Sequence, residues 1–303
     1  MGPVLAVDLG GTELRAALVD GSGRILATQA TATDAAGGPD AVIGQMVELV
    51  ERVRGDEPVT RLGLAAPGPL DPDAGVVLAA PMLAGWRDVP LVAALRDRLG
   101  LDVVLENDAN AAALGEWRFG AGRGTRSMVF VTVSTGIGGG VVVDGHLLHG
   151  RRGMAAEVGH MSVTQGVACV CGGVGCWEAV ASGTALARAA AATLAADGGP
   201  ATGRQVEAAA RRGESAALAL LDAEADWLGI GIANLLHLYS PERVVLGGGV
   251  MACFDLLRER MAAMVRARAM PAYRDVPVVL AELGGRAGLI GAASLVLPDA
   301  GPA

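Results

Sequence analysis

"VLAVDLGGTELRAALVDGSGRILATQ", residues 4–29, decides how this chain is read. It holds three short apolar runs, VLAVDL, ELRAALVD and RILATQ, separated by the turns GGT and GSG. Apolar runs of this length between glycine turns read as the strands of a meander. The plan returns at 128–149, as MVFVTVS, TGIGGG, VVVDG and HLLHG. Each copy has strand, glycine turn and strand, then Asp-Gly, at Asp20-Gly21 and at Asp144-Gly145. Asp-Gly favours a tight two-residue hairpin, because its glycine accepts a positive φ.

The two meanders also lead into similar segments. After the first, the pattern predicts a helix near 39–53, a strand near 61–66, a helix near 91–99, a strand near 102–105 and a helix near 108–118. After the second it predicts helices within 178–238, a strand near 243–246, a helix near 253–268, a strand near 276–281 and a final helix near 286–296. The Ala-rich stretch 183–200 reads as an ordinary helix. The fold class is therefore α/β, with duplicated βββαβα halves around a central cleft. Parallel strands joined by helices place ligands at their carboxyl ends, so the glycine turns of both meanders would face that cleft.

Composition narrows the function. A chain of 303 residues suits one large or two ordinary domains. It has no apolar run of the ~18 residues a membrane span needs. Its start, MGPVLAVDLGG, lacks the basic region and apolar stretch of a secretory signal. These features predict a soluble, cytoplasmic protein without a membrane partner. A net charge of −8 without basic runs argues against nucleic acid as a partner. All 24 basic residues are arginine. The lack of lysine excludes a P-loop lysine, a protein-kinase strand lysine and a Schiff-base lysine.

Three motifs could hold phosphate or a nucleotide. In DLGGTELR (8–15), Gly10 and Gly11 would let backbone N–H groups approach phosphate oxygens, Thr12 adds a hydroxyl, and Asp8 could hold a hydrated Mg²⁺; a hairpin with a capping Asp is the plainer alternative. STGIGGG (134–140), with Thr135, Gly136 and Gly138, is a second such turn, and the pair favours phosphate. In VVLGGGVM (244–251), Gly247, Gly248 and Gly249 would let a flat base or ribose lie on the backbone, or would only make a tight strand-to-helix turn.

VVLENDANAAALGEW (103–117) places Glu106, Asn107 and Asp108 where a buried strand ends and a helix starts. Asn107 or Asp108 could cap that helix, worth about 1 kcal/mol. A carboxylate there could also act as general base toward an alcohol, with Asn107 binding a hydroxyl. HMSVTQGVACVCGGVGCWE (160–178) gathers three of the four cysteines. A cytoplasmic disulfide is disfavoured, and no C-x-x-C redox pair exists. Cys169, Cys171 and Cys176 with His160 have the composition of a structural zinc site; reduced cysteines in a loop are the alternative. Zinc would pin the loop so that Glu157, Glu178 and the free nitrogen of His160 face one point, which suits a polyhydroxylated ligand. Glu178 could equally be a favourable acid in a helix first turn.

Taken together, DLGGTELR, GLAAPGPLD (63–71), ENDANAAALGE (106–116), TGIGGG (135–140), EVGH (157–160), CVCGGVGCWE (169–178) and LGGGV (246–250) resemble the sugar kinases of the ROK family (repressors, open reading frames, kinases), and among them the bacterial glucokinases. The resemblance covers nearly the whole chain. It implies a two-lobed actin-like (ribonuclease H-like) ATPase fold, with a small lobe at 1–117 joined by the C-terminal helix 287–303 and a large lobe at 118–286 carrying the zinc loop. It implies ATP with Mg²⁺ and structural Zn²⁺ as cofactors, and transfer of the γ-phosphoryl group to a hexose 6-hydroxyl, glucose first, as at the entry to glycolysis. An N-acetylglucosamine or N-acetylmannosamine kinase, or a non-catalytic sugar-sensing protein, is the alternative. A repressor would need a helix-turn-helix before the first strand. Asp108 matches the catalytic base. Gly68, Asn107, Glu157, His160 and Glu178 match the sugar pocket, and the glycines at 10–11, 136, 138 and 247–249 with Asp8, Thr12 and Thr135 match the nucleotide side. A homodimer or higher homo-oligomer is implied too. Two positions depart from many relatives: Ser134, where glycine is common, and Met82, where asparagine is common.

Overall fold

The structure, a computed structural model, describes residues 2–194 and 202–298. The expected helical residues 195–200 lie outside that range, as do residues 299–303 of the expected C-terminal helix, whose described helical part ends at Ser294 rather than continuing past it. Contacts divide the chain into two units, one of residues 1–125, 140–156 and 282–303, the other of 126–139 and 157–281.

In chain order, the elements begin with β1 (Val4–Leu9), β2 (Glu13–Val19), β3 (Ile25–Ala32), α1 (Gly38–Arg54), β4 (Arg61–Ala66), β5 (Leu70–Asp71), β6 (Val76–Ala79), β7 (Arg87–Val89), α2 (Leu91–Leu99), β8 (Asp102–Asn107) and α3 (Asp108–Phe119). Next come β9 (Met128–Val133), β10 (Ile137–Val143), β11 (His146–Leu147), α4 (Trp177–Ala181), α5 (Gly183–Leu194), α6 (Gly203–Arg211), α7 (Ser215–Tyr239), β12 (Arg243–Gly247), α8 (Phe254–Arg268), β13 (Val278–Leu280) and α9 (Ala287–Ser294).

The first sheet has the order β3-β2-β1-β4-β8 and the second β11-β10-β9-β12-β13. Each is its own third, second, first, fourth and fifth strand, so the duplicated halves expected from sequence are present. In the first, β2 runs antiparallel to β1, while β4 and β8 continue parallel. In the second, β9, β12 and β13 are parallel. The parallel strands are apolar runs because both faces are covered; β1 is buried along its whole length.

In the first unit, α1 buries Val42, Ile43, Met46, Leu49, Val50 and Val53 at helical spacing. Pro39 starts that helix, and Gly55 ends it at φ 53°. The C-terminal α9 packs its backbone against α3: a Cβ on Gly291 would lie 1.7 Å from the Ala111 carbonyl oxygen, and one on Gly115 2.8 Å from that of Ala287. Only glycine permits that approach. The second unit buries Leu228, Ile232, Leu235 and Leu236 of α7 together with Val244, Val245 and Leu246 of β12.

Several local expectations need correction. Asp20-Gly21 is not a two-residue hairpin. Its turn runs to Arg24, with the positive φ of 79° at Gly23, and Asp20 Oδ1 accepts from the Ser22 and Arg24 N–H groups. Asp144-Gly145 is the tight turn, at φ 50° and 82°. The strand expected at 276–281 shrinks to three residues, since Pro277 has no N–H to donate. HLLHG supplies only the two residues of β11. The small sheet β5-β6-β7 was not anticipated, because strands of two to four residues carry too little alternation to detect.

Candidate functional site

The two units carry separate parts of the predicted site. In the first, the β1–β2 turn is closed by the Gly10 N–H donating to the Glu13 carbonyl at 2.9 Å and by Thr33 Oγ1 donating to the Gly10 carbonyl at 2.8 Å. A Cβ on Gly10 would sit 2.9 Å from the Glu13 oxygen. One on Gly11 would sit 2.7 Å from Met82 Cγ, so the Met82 side chain lies over this turn. Thr12 is exposed beside it.

One oxygen of Asp8 is already engaged. Arg15 stands opposite it in the β1–β2 register and reaches its Oδ2 with Nη2 at 2.5 Å. Arg15 Nη1 donates to the Gly285 carbonyl. Burial raises the Asp8 pKa, and Arg15 works against that shift. Sequence reading missed Arg15, although a turn at Gly10–Thr12 in an antiparallel pair sets residue 8 against 15.

At the β8–α3 junction, Asn107 caps α3: its Oδ1 accepts from the Ala109 N–H at 3.0 Å and the Asn110 N–H at 3.3 Å. Its Nδ2 lies 3.3 Å from where a Cβ on Gly68 would stand, which brings Gly68 and Asn107 together. Asp108 follows as the first residue of α3, exposed, its Oδ1 accepting from the Ala109 N–H at 2.8 Å. An ionised carboxylate is favoured at a helix N-terminus, and a base must be ionised to take a proton. Glu106 is buried behind them. Its Oε1 accepts from the Asn107 N–H at 2.8 Å and Asn110 Nδ2 at 3.0 Å, and its Oε2 meets His149 Nε2 at 2.7 Å.

In the second unit, the Ser134–Ile137 turn is closed by the Ser134 N–H donating to the Gly136 carbonyl at 2.9 Å. Thr135 is exposed, its carbonyl accepting from Thr184 Oγ1 at 2.7 Å. Gly138 lies within β10. Glu178, in the first turn of α4, accepts the Ile137 N–H on Oε2 at 2.9 Å, and a Cβ on Gly136 would come within 2.3 Å of that oxygen. Glu178 therefore braces the glycine turn, a long-range contact that its sequence neighbours do not announce. Gly248 takes φ 91° with its backbone against Val133, and Gly249 lies near Ser134 Oγ. Gly248 and Gly249 are exposed beside the start of the 134–136 turn, whereas Gly247 is buried against Phe130.

Glu157 is exposed and opens the 3₁₀ turn that ends at His160. The ligand atoms of His160, Cys169, Cys171 and Cys176 all lie within 4.8 Å of one another. Cys171 and Cys176 sulfurs are 3.6 Å apart, and Cys169 Sγ is 3.9 Å from His160 Nδ1. A tetrahedral ion with bonds of ~2.3 Å to sulfur has edges of about 3.8 Å, so the set fits a four-coordinate metal. Gly172 and Gly175, at φ 89° and 77°, turn the loop around it. Burial pushes the Cys176 thiol up to about 12 without a metal, so binding must displace its proton. Among the described residues, no helix is long and apolar enough to cross a membrane.

Comparison with known proteins supplies the remaining observations. A model of the ROK family matches residues 4–298. A glucokinase of Streptomyces coelicolor is 38% identical, with 97% of this chain and 98% of the relative covered. An N-acetylmannosamine kinase of Citrobacter koseri is also 38% identical, over 97% of this chain and 99% of its own. The crystal structure of a ROK family glucokinase from Streptomyces griseus, in complex with glucose and AMPPNP, superposes with a TM-score of 0.82 at 38% identity, covering 97% of this chain and 99% of that one.

Proposed function

This chain belongs to the ROK family, and from that premise we propose that it is an ATP-dependent hexose kinase acting on the 6-hydroxyl of glucose. The observation that carries the reading is end-to-end similarity to a glucokinase crystallised with glucose and an ATP analogue, joined to an exposed carboxylate, Asp108, at a helix start capped by Asn107.

Asp108 takes the proton of the sugar 6-hydroxyl. The freed oxygen bonds to the γ-phosphorus of ATP, the bond from that phosphorus to the β,γ-bridging oxygen breaks, and ADP leaves. Such transfers depend on positioning and charge stabilisation more than on covalent chemistry. Gly68, Asn107, Glu157, His160 and Glu178 bind sugar hydroxyls. The turns at Gly10–Thr12 and Thr135–Gly138 take the phosphates on backbone N–H groups, and Gly247–Gly249 take the adenosine. Mg²⁺, when bound, neutralises phosphate charge. Asp8 would hold it, and with Oδ2 taken by Arg15 it would be a weak ligand on its own. His160, Cys169, Cys171 and Cys176 would hold Zn²⁺, which would pin the loop that presents Glu157 and His160. A homodimer in the cytoplasm completes this reading.

N-acetylmannosamine is the second substrate to weigh, because a kinase for it is 38% identical to this chain over nearly its whole length. ADP release with MgATP against glucose, mannose, fructose, N-acetylglucosamine and N-acetylmannosamine decides between them. The glucose reading requires kcat/KM for glucose to exceed every other by at least about tenfold, the discrimination one well-placed polar contact provides. Preference for an N-acetylated sugar moves the assignment to that class.

A further inference from the structure

We propose that His149 is a positioning residue for the base: through Glu106 it holds the β8–α3 junction that carries Asn107 and Asp108, and only its protonated form holds that junction well. The proposal rests on the kinase reading above. Glu106 is 1% exposed, and its carboxylate makes three described contacts. Two of them, on Oε1, go to the Asn107 N–H and Asn110 Nδ2, which are the strand end and the first turn of α3. The third, on Oε2, goes to His149, whose side chain is half exposed. Asn110 is 1% exposed and its Oδ1 has no partner, so Glu106 holds the one amide bond the structure gives it. The plane of a single buried carboxylate therefore sets the strand end, the cap and the first turn together.

A buried carboxylate is stable as an anion when a cation stands against it. Protonated His149 supplies that charge. The His149 backbone is fixed on both sides. Its carbonyl accepts from the Ala155 N–H at 3.0 Å, and Gly150 follows at φ 62° with no room for a Cβ against Ala155. The charged groups acting on the imidazole are Glu106 from β8 and Asp73 from the β5–β6 turn; Arg151 and Arg152 follow in its own loop, with Arg152 directed to Asp71. The hydrogen bond to Glu106 raises the His149 pKa above its ordinary 6.5, against a smaller lowering by burial. His149 thus keeps its charge below that raised value and loses it as pH climbs through it. Losing it leaves Glu106 without its counter-charge and replaces a charge-assisted hydrogen bond by a weaker neutral one, so the carboxylate that holds Asn107 is less firmly fixed.

The test is kcat against pH for wild type, H149N and H149R, with the imidazole titration followed by NMR in wild type and E106Q. The proposal expects wild-type kcat to fall several-fold on an alkaline limb that matches the His149 titration. H149N is expected to be lower and flat across that limb, and H149R flat and above H149N. The His149 titration should move down in E106Q. A pH profile in H149N identical to wild type overturns the proposal alone, and so does a His149 titration at or below 6.5 in wild type. A wild type that phosphorylates no sugar overturns the kinase reading, and this proposal with it.

Discussion

Glu224 should make this protein lose stability as pH rises through neutrality. It sits in α7 with 3% exposure, and its Oε1 has no hydrogen-bond partner. Burial pushes its pKa from 4.5 up to about 8. Below 4.5 the carboxyl is protonated both folded and unfolded, and costs nothing through ionisation. Between 4.5 and 8 the folded state holds a proton that the unfolded state has released, so stability falls with each unit of pH. One unit is worth about 1.4 kcal/mol, so the cost reaches roughly 3 kcal/mol at pH 7 and about 5 kcal/mol above pH 8. Glu224→Gln removes the titration and keeps the shape. The variant should match wild type at pH 4.5 and exceed it at pH 7, where roughly 3 kcal/mol corresponds to about 5 °C in Tm for a chain of this length. Calorimetry of both proteins at pH 4.5, 6, 7 and 8 measures this directly. A Tm difference that does not grow with pH refutes the reasoning, because it would mean that Glu224 is ionised without penalty in the folded state.

Three further outcomes rest on other contacts. Glu116 is wholly buried and accepts the N–H groups of Ala121, Glu282 and Leu283; Glu116→Ala removes all three hydrogen bonds and should cost roughly 3 kcal/mol or more in urea unfolding. Elemental analysis should find one zinc per chain, with Cys171→Ser losing it, and metal loading should fall as pH falls because the thiols must give up protons to bind. Glu178→Gln keeps an oxygen for the Ile137 N–H but removes the charge that pairs with it, so it should leave Tm within a few degrees while lowering kcat/KM at least tenfold; unchanged kinetics would confine Glu178 to bracing its turn.

The halves were legible because a meander of apolar runs between glycine turns is a local pattern, and this chain writes it twice. The histidine–cysteine cluster was legible for the same reason: His160 and its three cysteines lie within seventeen residues. The rest depended on contacts between distant segments. Glu178 bonds a residue 41 positions away, and Glu116 reaches the N–H groups of 282 and 283. No spacing rule marks a carboxylate that will be used to satisfy backbone donors rather than a ligand. His149 went unread because its partner, Glu106, is 43 positions earlier on another element. Arg15 is the exception: its pairing with Asp8 follows from the hairpin register, so it was within reach once the turn was placed.

The most direct test of the account is ADP release from MgATP and glucose by wild type and by Asp108→Asn, with glucose binding measured alongside. The account predicts turnover by the wild type, a loss of about 10²–10⁴-fold in kcat in the variant, as removal of a general base entails, and glucose binding within a few-fold of wild type. A variant that turns over as fast as wild type would contradict the assignment of Asp108 as the base, and a wild type with no sugar-dependent ADP release would contradict the kinase reading itself.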